Sequence, residues 1–269
     1  MEKIKPFLKW AGGKYRCLEH VLSSLPQAEC LIEPFAGSGV VFLNAAYSRY
    51  ILAEGNSDLV ALFLLIQDDG ESFIDFCEQF FCPANNEPEQ YYTLRAEFNH
   101  CTDPTLRAAL FLYLNRHGYN GLCRYNLKGG YNVPFGRYKK PYFPRKELRA
   151  FHQKSQCATM VHADFRATFS NANPGDVIYC DPPYAPLPQC SNFSSYTSKK
   201  FGEAEQIALA TCAIDSANRG ITVIISNHDT AFTRHHYRNS NIKSFPVRRS
   251  ISCNTSQRQD VNELIAVFR

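Results

Sequence analysis

The feature that most constrains the fold of this chain is an alternation of short apolar runs with helical patterns. Such an alternation is typical of a β-sheet covered by helices. The 269 residues suffice for one α/β domain of about 150–200 residues and a smaller insert. We therefore predict an α/β fold. Its strands are expected at residues 30–33, 50–53, 158–162, 177–180, 222–226 and 263–268, and its helices at 40–47, 59–66, 106–114 and 203–217.

The segment from residue 57 to residue 144 interrupts this alternation. Its first part has a helical pattern, with an apolar stripe along 106–114, and its later part is rich in glycine. The stretches 118–121 and 128–132 have the composition of turns that bound a hairpin or a loop. We interpret 57–144 as a mostly helical insert with a hairpin loop, which divides a core formed by 1–56 and 145–269.

The charge of the chain is concentrated in this middle region. Between Arg107 and Arg149 there are ten Lys or Arg residues and one acid, Glu147, so this stretch has a net charge of +9. Because the whole chain has a net charge of +4, the remaining residues carry −5. A solvated basic face is one explanation. However, tyrosines and phenylalanines such as Tyr119 and Phe135 are interleaved with the cations. Cations for phosphates together with flat rings for bases favour a nucleic-acid partner.

A glycine motif follows the first predicted strand. Phe35-Ala36-Gly37-Ser38-Gly39 leads from this strand into a predicted helix, so that a ligand can approach backbone N–H groups. The motif lacks the Gly-Lys-Ser/Thr ending of a phosphate loop and the third glycine of a dinucleotide site. Glu54, at the end of the second strand, is placed to bind a ribose diol. These features favour an adenosine-containing cofactor other than a dinucleotide.

The tetrapeptide Asp181-Pro182-Pro183-Tyr184 follows the predicted strand 177–180 directly. Ligand sites in open α/β sheets lie at the carboxyl ends of the strands. The prolines fix the backbone. A carboxylate and a carbonyl can therefore accept hydrogen bonds from both hydrogens of an exocyclic amine, while the tyrosine stacks on the attached ring. A common Asp-Pro turn is the alternative, but the full tetrapeptide at a strand end favours a catalytic role.

Several other classes of protein are disfavoured. The eleven cysteines include no C-x-x-C pair, so we expect reduced, packed thiols rather than disulfides, and no metal site. No apolar run reaches the roughly 18–20 residues that cross a membrane. The N-terminal residues lack the apolar core of a signal peptide, so we expect a cytoplasmic protein without a membrane partner.

These motifs resemble those of the Dam-type adenine-N6 DNA methyltransferases. The resemblance runs essentially from end to end, with the glycine motif before the insert and D-P-P-Y after it, the order of the α group of amino methyltransferases. The further matching segments are F-L-K-W-A-G-G-K at 7–14, N-R-H-G-Y-N-G-L-C-R-Y-N at 115–126, N-V-P-F-G-R-Y-K-K-P-Y-F at 132–143, S-N-H-D at 226–229 and R-R-S-I-S at 248–252.

The resemblance implies a Rossmann-like core that uses S-adenosylmethionine, with the insert recognising the palindrome GATC in double-stranded DNA. It also implies an enzyme that acts as a monomer, bound to the nucleoid through DNA. The implied cofactor-binding residues are Trp10, Lys14, Phe35, Gly37, Gly39, Glu54 and Asp181. The implied DNA-binding residues are Lys9, Leu122, Arg124 and Pro134 for bases, Tyr119 and Asn120 at the flipped adenine, Arg95, Arg116, Asn126, Asn132, Arg137 and Lys139 for phosphates, and Tyr138 beside them.

Two positions depart from the family pattern. Family members typically have Asp where this chain has Glu54, and the longer acid can still reach a ribose. The segment His162-Ala163-Asp164-Phe165 replaces a more variable family segment. We expect Asp164 to accept a hydrogen bond from the cofactor's adenine N6 and Phe165 to pack on its ring.

The catalytic residues expected from the motif are Asp181, Pro182 and Tyr184. The Asp181 carboxylate and the Pro182 carbonyl would hold the two hydrogens of adenine N6, so that its lone pair is available for methyl transfer. The base must be flipped out of the duplex, and Tyr184 would stack on it. Neither a metal nor a cysteine nucleophile is required.

Alternatives remain open at this point. An amino methyltransferase of cytosine-N4 or other sequence specificity fits D-P-P-Y alone, and a DNA-binding regulator with a decayed catalytic fold fits the basic insert. Methylation of a small molecule or protein would leave that insert unexplained. Protection against a restriction partner, repair and regulation, and a phage role are all compatible with the sequence.

Overall fold

A seven-stranded mixed sheet forms the centre of the molecule. The computed structural model describes residues 3–185, 201–247 and 261–269. The strands are β1 (Cys30–Glu33), β2 (Arg49–Glu54), β3 (Ala158–His162), β4 (Val177–Cys180), β5 (Thr222–His228), β6 (Asn241–Val247) and β7 (Val261–Phe268). Their order is β3-β2-β1-β4-β5-β7-β6, which confirms the α/β fold with a Rossmann-like core.

The strand pairing places a switch point between β1 and β4. Strands β1 to β5 are parallel, and β7 is antiparallel to both β5 and β6. The chain moves outward from β1 through β2 to β3, and then returns to place β4 on the other side of β1. Because connections leave in opposite directions here, a crevice opens beyond the carboxyl ends of β1 and β4. The glycine motif and D-P-P-Y follow these two strands directly.

Helices cover both faces of the sheet. One face packs against α1 (Leu18–Leu22), α2 (Val40–Asn44), α3 (Ser57–Glu78) and α6 (Arg145–Ser155). The other face packs against α7 (Phe165–Ser170) and α8 (Glu203–Asn218), with α9 (Ala231–His236) following β5. Strand residues alternate between these two layers, as the period of a strand requires, and both layers are apolar.

The insert consists of helices followed by a short hairpin. Helix α3 is kinked at Gly70 and is followed by α4 (Pro88–His100) and α5 (Pro104–His117), with 3-10 turns at Pro83–Asn86 and Tyr119–Gly121. Antiparallel bridges join Tyr125 to Tyr131 and Gly118 to Phe135. The expected hairpin within a mostly helical insert is therefore present.

The predicted strands agree with the structure, whereas the helix predictions differ in length. Strands β1, β3 and β4 have the predicted bounds, and β2, β5 and β7 are each two residues longer. The helix predicted over 40–47 was too long, because Ala45 has an extended backbone and α2 ends at Asn44. The helix predicted over 59–66 was too short, because Asn56 caps α3 and the helical pattern continues past residue 66.

A cluster of aromatic rings joins the N-terminal segment to the helices on one face. Phe151 of α6 lies with its ring centroid 4.7 Å from Phe63, 5.1 Å from Phe7 and 5.6 Å from Phe42. All four rings are buried. Such contacts contribute beyond their buried area because edge-to-face rings attract each other. Phe7 is thereby held close to the residues that continue into the site, from Lys9 to Lys14.

Phe151→Ala should lower the free energy of unfolding by about 3–5 kcal/mol, because it removes a buried ring from between three others. Leu127→Ala is the matched control, since Leu127 is 92% exposed. This substitution should change the free energy of unfolding by less than about 0.5 kcal/mol. Urea unfolding followed by circular dichroism measures both. A loss below about 1 kcal/mol for Phe151→Ala would show that the cluster does not hold the N-terminal segment to the helices on this face.

Candidate active site

The glycine turn after β1 is tied to the acid at the end of β2. Gly37 has a φ of 49° and Gly39 a φ of 69°, so both lie in the left-handed region. The Gly37 N–H donates to Glu54 Oε2 at 3.1 Å, and the Asn56 N–H donates to Glu54 Oε1 at 3.2 Å. The Glu54 carboxylate therefore reaches back to the glycine turn and fixes it. Glu54 is also the last residue of β2, so it lies at the crevice.

Trp10 covers the same turn from the N-terminal segment. A Cβ at Gly37 would meet the indole Nε1 of Trp10 at 2.9 Å, so only glycine permits this approach. Lys14 follows a turn in which the Gly13 N–H donates to Trp10 O at 3.2 Å. The segment from Trp10 to Lys14 thus lies across the carboxyl ends of β1 and β4.

Lys14 and Asp181 form an ion pair inside the crevice. The Lys14 Nζ lies 2.8 Å from Asp181 Oδ1, and the exposed fractions of the two side chains are 3% and 22%. Nζ also donates to Gly12 O at 2.6 Å and lies 4.4 Å from the ring centroid of Tyr184. Burial opposes the charge of Lys14, but the carboxylates of Asp181 and Glu263 raise its pKa above the usual value. Lys14 is therefore a cation at neutral pH.

The D-P-P-Y segment is anchored from β5 and α8. Asn227 is fully buried; its Oδ1 accepts from the N–H groups of Ala185 and His228, and its Nδ2 donates to Gln206 and the hydroxyl of Tyr237. Gln206 Nε2 donates in turn to the Pro183 carbonyl at 2.7 Å. These bonds hold both ends of the segment after Asp181, and Pro182 is buried beneath it.

The ring of Tyr184 is held by two further side chains. Its hydroxyl donates to Glu263 Oε2 at 3.1 Å, and its ring meets that of His228 edge-on, with centroids 4.7 Å apart. His228 Nδ1 in turn lies 2.8 Å from Ala185 O. Tyr184 is consequently oriented between Lys14, Glu263 and His228, with its ring beside the Asp181 carboxylate.

Two aromatic rings line the other side of the glycine turn. Phe35 and Phe165 stack with centroids 5.6 Å apart, and Phe201 meets Phe35 edge-on at 5.5 Å. Asp164 caps α7 by accepting from the Arg166 N–H at 2.9 Å, and also pairs with the Arg166 guanidinium at 3.3 Å. Asp164 is therefore already engaged within the protein, although its exposed carboxylate adjoins the Phe35–Phe165 pair.

Glu33, which sequence inspection passed over, is buried at the end of β1. Burial, together with the charge of Asp181, raises its pKa to about 8. Among the described residues its Oε1 is one of two buried side-chain atoms without a hydrogen-bond partner. An unpaired polar oxygen next to the glycine turn fits a site that is completed by a bound polar group.

The N-terminal segment also contacts the insert. The Lys9 N–H donates to Asn115 Oδ1 at 2.9 Å, and Asn115 Nδ2 donates to the carbonyls of Lys9 and Gly121. The Lys9 Nζ lies 3.8 Å from the centroid of Tyr138. Lys9 therefore sits where the core meets the insert.

The expected base-contacting residues other than Lys9 lie on this insert. The Tyr119 N–H donates to Pro134 O, and the Leu122 N–H donates to Tyr119 O. Tyr119 is 51% exposed, and Asn120 has a φ of 54°. Arg124 Nε donates to Asn132 Oδ1 at 2.6 Å and Nη2 donates to Asn132 O at 3.0 Å, so the plane of its guanidinium is set within the hairpin.

The expected phosphate-contacting residues fall into two groups. Arg95 donates to Val133 O at 2.9 Å and Arg116 donates to Tyr142 O at 3.1 Å, so both also support the insert. Asn126 accepts from the N–H groups of Lys128 and Gly130 and shapes the hairpin turn. Arg137 and Lys139 are exposed. The matching segment R-R-S-I-S at 248–252 lies outside the described residues.

Residues that sequence inspection did not assign complete the site. Glu263 and Gln206 give no signal of their own, because each lies within an ordinary strand or helix pattern. Asn227 and His228 lay in a quoted family match, S-N-H-D, which could have indicated a role at the end of β5. Within the described residues no group of three His, Cys, Asp or Glu side chains could hold a metal ion, and no helix there is long and apolar enough to cross a membrane.

A glycine turn after β1 and D-P-P-Y after β4, on this sheet order, define a Rossmann-like methyltransferase core that acts on amino groups. Residues 10–251 match the family of D12 class N6 adenine-specific DNA methyltransferases. The chain is 49% identical over 269 residues to the DNA adenine methylases of Salmonella typhi and Escherichia coli (strain K12), covering 100% of this chain and 97% of each relative. It is 50% identical over 270 residues to that of Serratia marcescens, covering 100% of both chains.

The chain therefore belongs to the D12 class of N6 adenine-specific DNA methyltransferases. The predicted enzyme class and the resemblance to the Dam branch are confirmed. The cytosine-N4 and decayed-regulator alternatives are set aside, because the family acts on adenine N6 and the D-P-P-Y segment and its anchors are intact.

Asn227→Ala should lower the free energy of unfolding by about 1–3 kcal/mol, since it leaves buried partners unpaired. Turnover in a DNA-methylation assay should fall further than the folded fraction does, because the anchor of the D-P-P-Y segment is lost. The exposed residue Asn239 provides the control Asn239→Ala. If Asn227→Ala retained parental turnover at a temperature where it is folded, the anchor would not be needed for the site.

Proposed function

We propose that this enzyme transfers the methyl group of S-adenosylmethionine to adenine N6 within GATC in duplex DNA. The observation that carries the proposal is the Asp181 carboxylate, held at 2.8 Å by Lys14 at the switch point and beside the Tyr184 ring. The GATC specificity rests on the Dam-type segments of the insert, 115–126 and 132–143.

The side chains around the switch point fit S-adenosylmethionine. The cofactor would supply an activated methyl group when bound. We assign its adenine to the Phe35–Phe165 side, with Asp164 as the acceptor for the amino group. Glu54 would hold the ribose diol, and the remaining cofactor contacts would come from Trp10, Lys14, Gly37, Gly39 and Asp181. The left-handed turn and the unpaired Glu33 oxygen support this assignment.

The residues of D-P-P-Y would prepare the amino group. The lone pair of adenine N6 is delocalised into the ring, which makes the nitrogen a poor nucleophile. Hydrogen bonds from its two hydrogens to the Asp181 carboxylate and the Pro182 carbonyl would favour a pyramidal nitrogen with a localised lone pair. Tyr184 would stack on the flipped base and keep N6 in line with the methyl group. Lys14 keeps a positive charge beside Asp181 and so favours its ionised form.

We propose that residues 57–144 form the DNA-recognition insert and that 1–56 and 145–269 form the catalytic domain. Helix α3 links the two, since it packs on the sheet and on α5. Lys9, Leu122, Arg124 and Pro134 would contact bases, Tyr119 would fill the space left by the flipped adenine, and Asn120 would lie near it. Arg95, Arg116, Asn126, Asn132, Arg137 and Lys139 would contact phosphates, with Tyr138 beside them.

The proposed partner is duplex DNA alone, bound by a monomer in the compartment that holds the chromosome. A single protomer contains every residue assigned above. Methylation-sensitive digestion of plasmid DNA from expressing cells tests the sequence assignment directly. Protection at sites other than GATC would overturn it and leave the adenine chemistry in place.

Asp181→Asn and Asp181→Ala should each lower methyl transfer to a GATC duplex by more than tenfold, a loss above about 1.4 kcal/mol. Asparagine keeps the shape of the side chain but presents weaker acceptors, and alanine removes them. Both variants should still bind DNA. Because Asp181→Ala leaves Lys14 unpaired and can unfold the protein, Asp181→Asn is the decisive variant. The exposed Asp215 supplies the control Asp215→Asn. More than a tenth of parental turnover in Asp181→Asn would remove Asp181 from the chemistry.

The affinity for DNA should fall as the pH rises from 7 to 9. Burial and the charge of Arg116 lower the pKa of Lys9 to about 8. Lys9 is therefore charged below this pH and neutral above it. A DNA contact that needs the Lys9 cation is lost as the pH rises. Lys9→Arg stays charged over this range and should show a flatter profile. Fluorescence anisotropy with a GATC duplex at constant salt measures both. Parallel profiles for the two proteins would contradict a DNA contact through Lys9.

A further inference from the structure

The hairpin segment around Arg124 is held by side chains from outside it. Tyr131 donates its hydroxyl to Leu122 O at 2.8 Å, and Asn56 Nδ2 lies 3.5 Å from Cys123 Sγ. The hydroxyl of Tyr125 donates to Asp58 Oδ2 at 2.6 Å. Leu122, Cys123 and Tyr125 thus each have a different partner. Arg124, which lies among them, is oriented by Asn132.

Asp58 is the centre of this arrangement. Its carboxylate is 11% exposed and receives Arg107 Nε at 2.6 Å and Nη2 at 3.2 Å, in addition to Tyr125. Arg107 also donates to Phe98 O at 2.7 Å. One carboxylate therefore joins the first turn of α3 to α4, α5 and the hairpin. Replacing such a pair by well-packed apolar groups is often neutral for stability, so stability alone does not account for an ion pair at this place.

The same turn of α3 is continuous with the proposed cofactor acid. Asn56 caps α3 by accepting from the N–H groups of Asp58 and Leu59, and its own N–H donates to Glu54. Glu54 accepts in turn from Gly37 of the glycine turn. Only three residues of chain thus lie between Glu54, the acid assigned to the ribose diol, and Asp58, the acid that holds the hairpin.

We propose that Asp58 is a positioning residue for sequence readout: through Tyr125 it sets where Arg124 meets the DNA, and through Asn56 and Glu54 it couples this position to occupancy of the cofactor site. The inference rests on the proposed function. Asp58 contacts neither substrate in this scheme and acts only through its neighbours.

The test is the variant Tyr125→Phe, which removes one hydroxyl and leaves the ring and the hairpin composition unchanged. Methylation rates are measured on GATC and on a panel of duplexes, each altered at one base pair. We expect the preference for GATC over duplexes altered at one G·C pair to fall about three- to tenfold, the size of one lost hydrogen bond. The preference at the other positions should change less. A general loss of stability would lower all rates together and leave these ratios unchanged.

Tyr47→Phe is the matched control. It removes a tyrosine hydroxyl that donates to Pro26 O at 2.6 Å, before β2 and at the opposite edge of the sheet from the site. Its ratios should equal those of the parent. If Tyr125→Phe also kept every ratio within about twofold of the parent, the positioning role of Asp58 would be overturned. A parent enzyme without a GATC preference would instead overturn the proposed function.

A second measurement addresses the coupling. The affinity of the GATC duplex is determined by fluorescence anisotropy with and without saturating S-adenosylhomocysteine, for the parent, Asp58→Asn and Tyr47→Phe. The ratio of the two affinities should move toward one in Asp58→Asn and stay at the parental value in Tyr47→Phe. An unchanged ratio in a folded Asp58→Asn would show that the cofactor site and the hairpin are independent.

Discussion

The contact on which the site depends is the ion pair between Lys14 and Asp181. It joins the N-terminal segment, which carries Trp10 and Lys9, to the end of β4 at the centre of the sheet. A lysine with 3% exposure is costly to keep charged, and in this crevice the carboxylates of Asp181 and Glu263 offset that cost. The pair therefore places the two segments together, and it also gives Asp181 a fixed, charged neighbour. Trp10 reaches the glycine turn because Lys14 is held four residues later.

Around this pair, the strand ends bring together residues that are far apart in the chain. Asn227 and His228 come from β5, Glu263 from β7 and Gln206 from α8, and all of them contact the four residues that follow Asp181. The reversed strand β7 explains the position of Glu263. Because β7 is antiparallel to β5, its beginning lies beside the carboxyl end of β5, where His228 pairs with Glu263. A parallel strand would have placed its first residues at the other edge of the sheet.

The parts of this arrangement that could be predicted from sequence are those that depend on local patterns. Buried parallel strands are continuous apolar runs, so β1 and β4 were found with their bounds, and D-P-P-Y marked the strand end to which we assign the chemistry. The bounds of β3 were also found, although only Met160 of its residues is buried. The five- and six-residue helices α1, α7 and α9 contain too few turns to show a period and were missed, and the eleven-residue helix α6 was missed as well. Strand β6 was missed because only Phe245 of its residues is buried. The partners of Tyr184 and Arg124 follow from tertiary contacts, which no single segment encodes.

The cations of the insert are of two kinds: some bond to the protein's own backbone, and others, such as Arg137 and Lys139, are exposed. Arg95, Arg107 and Arg116 donate to backbone carbonyls of the insert, so part of its positive charge supports structure. Arg124, which we assign to a base, is also fixed within the protein. A guanidinium has five N–H donors, and two bonds to Asn132 fix its plane before any DNA arrives. Fixing a long side chain in advance lowers the entropy lost on binding, and it restricts the directions in which a base edge can be met. A mismatched base then faces a donor that cannot turn to accommodate it. The rigidity of the hairpin, and not the number of positive charges, is thus the property from which discrimination between sequences would arise.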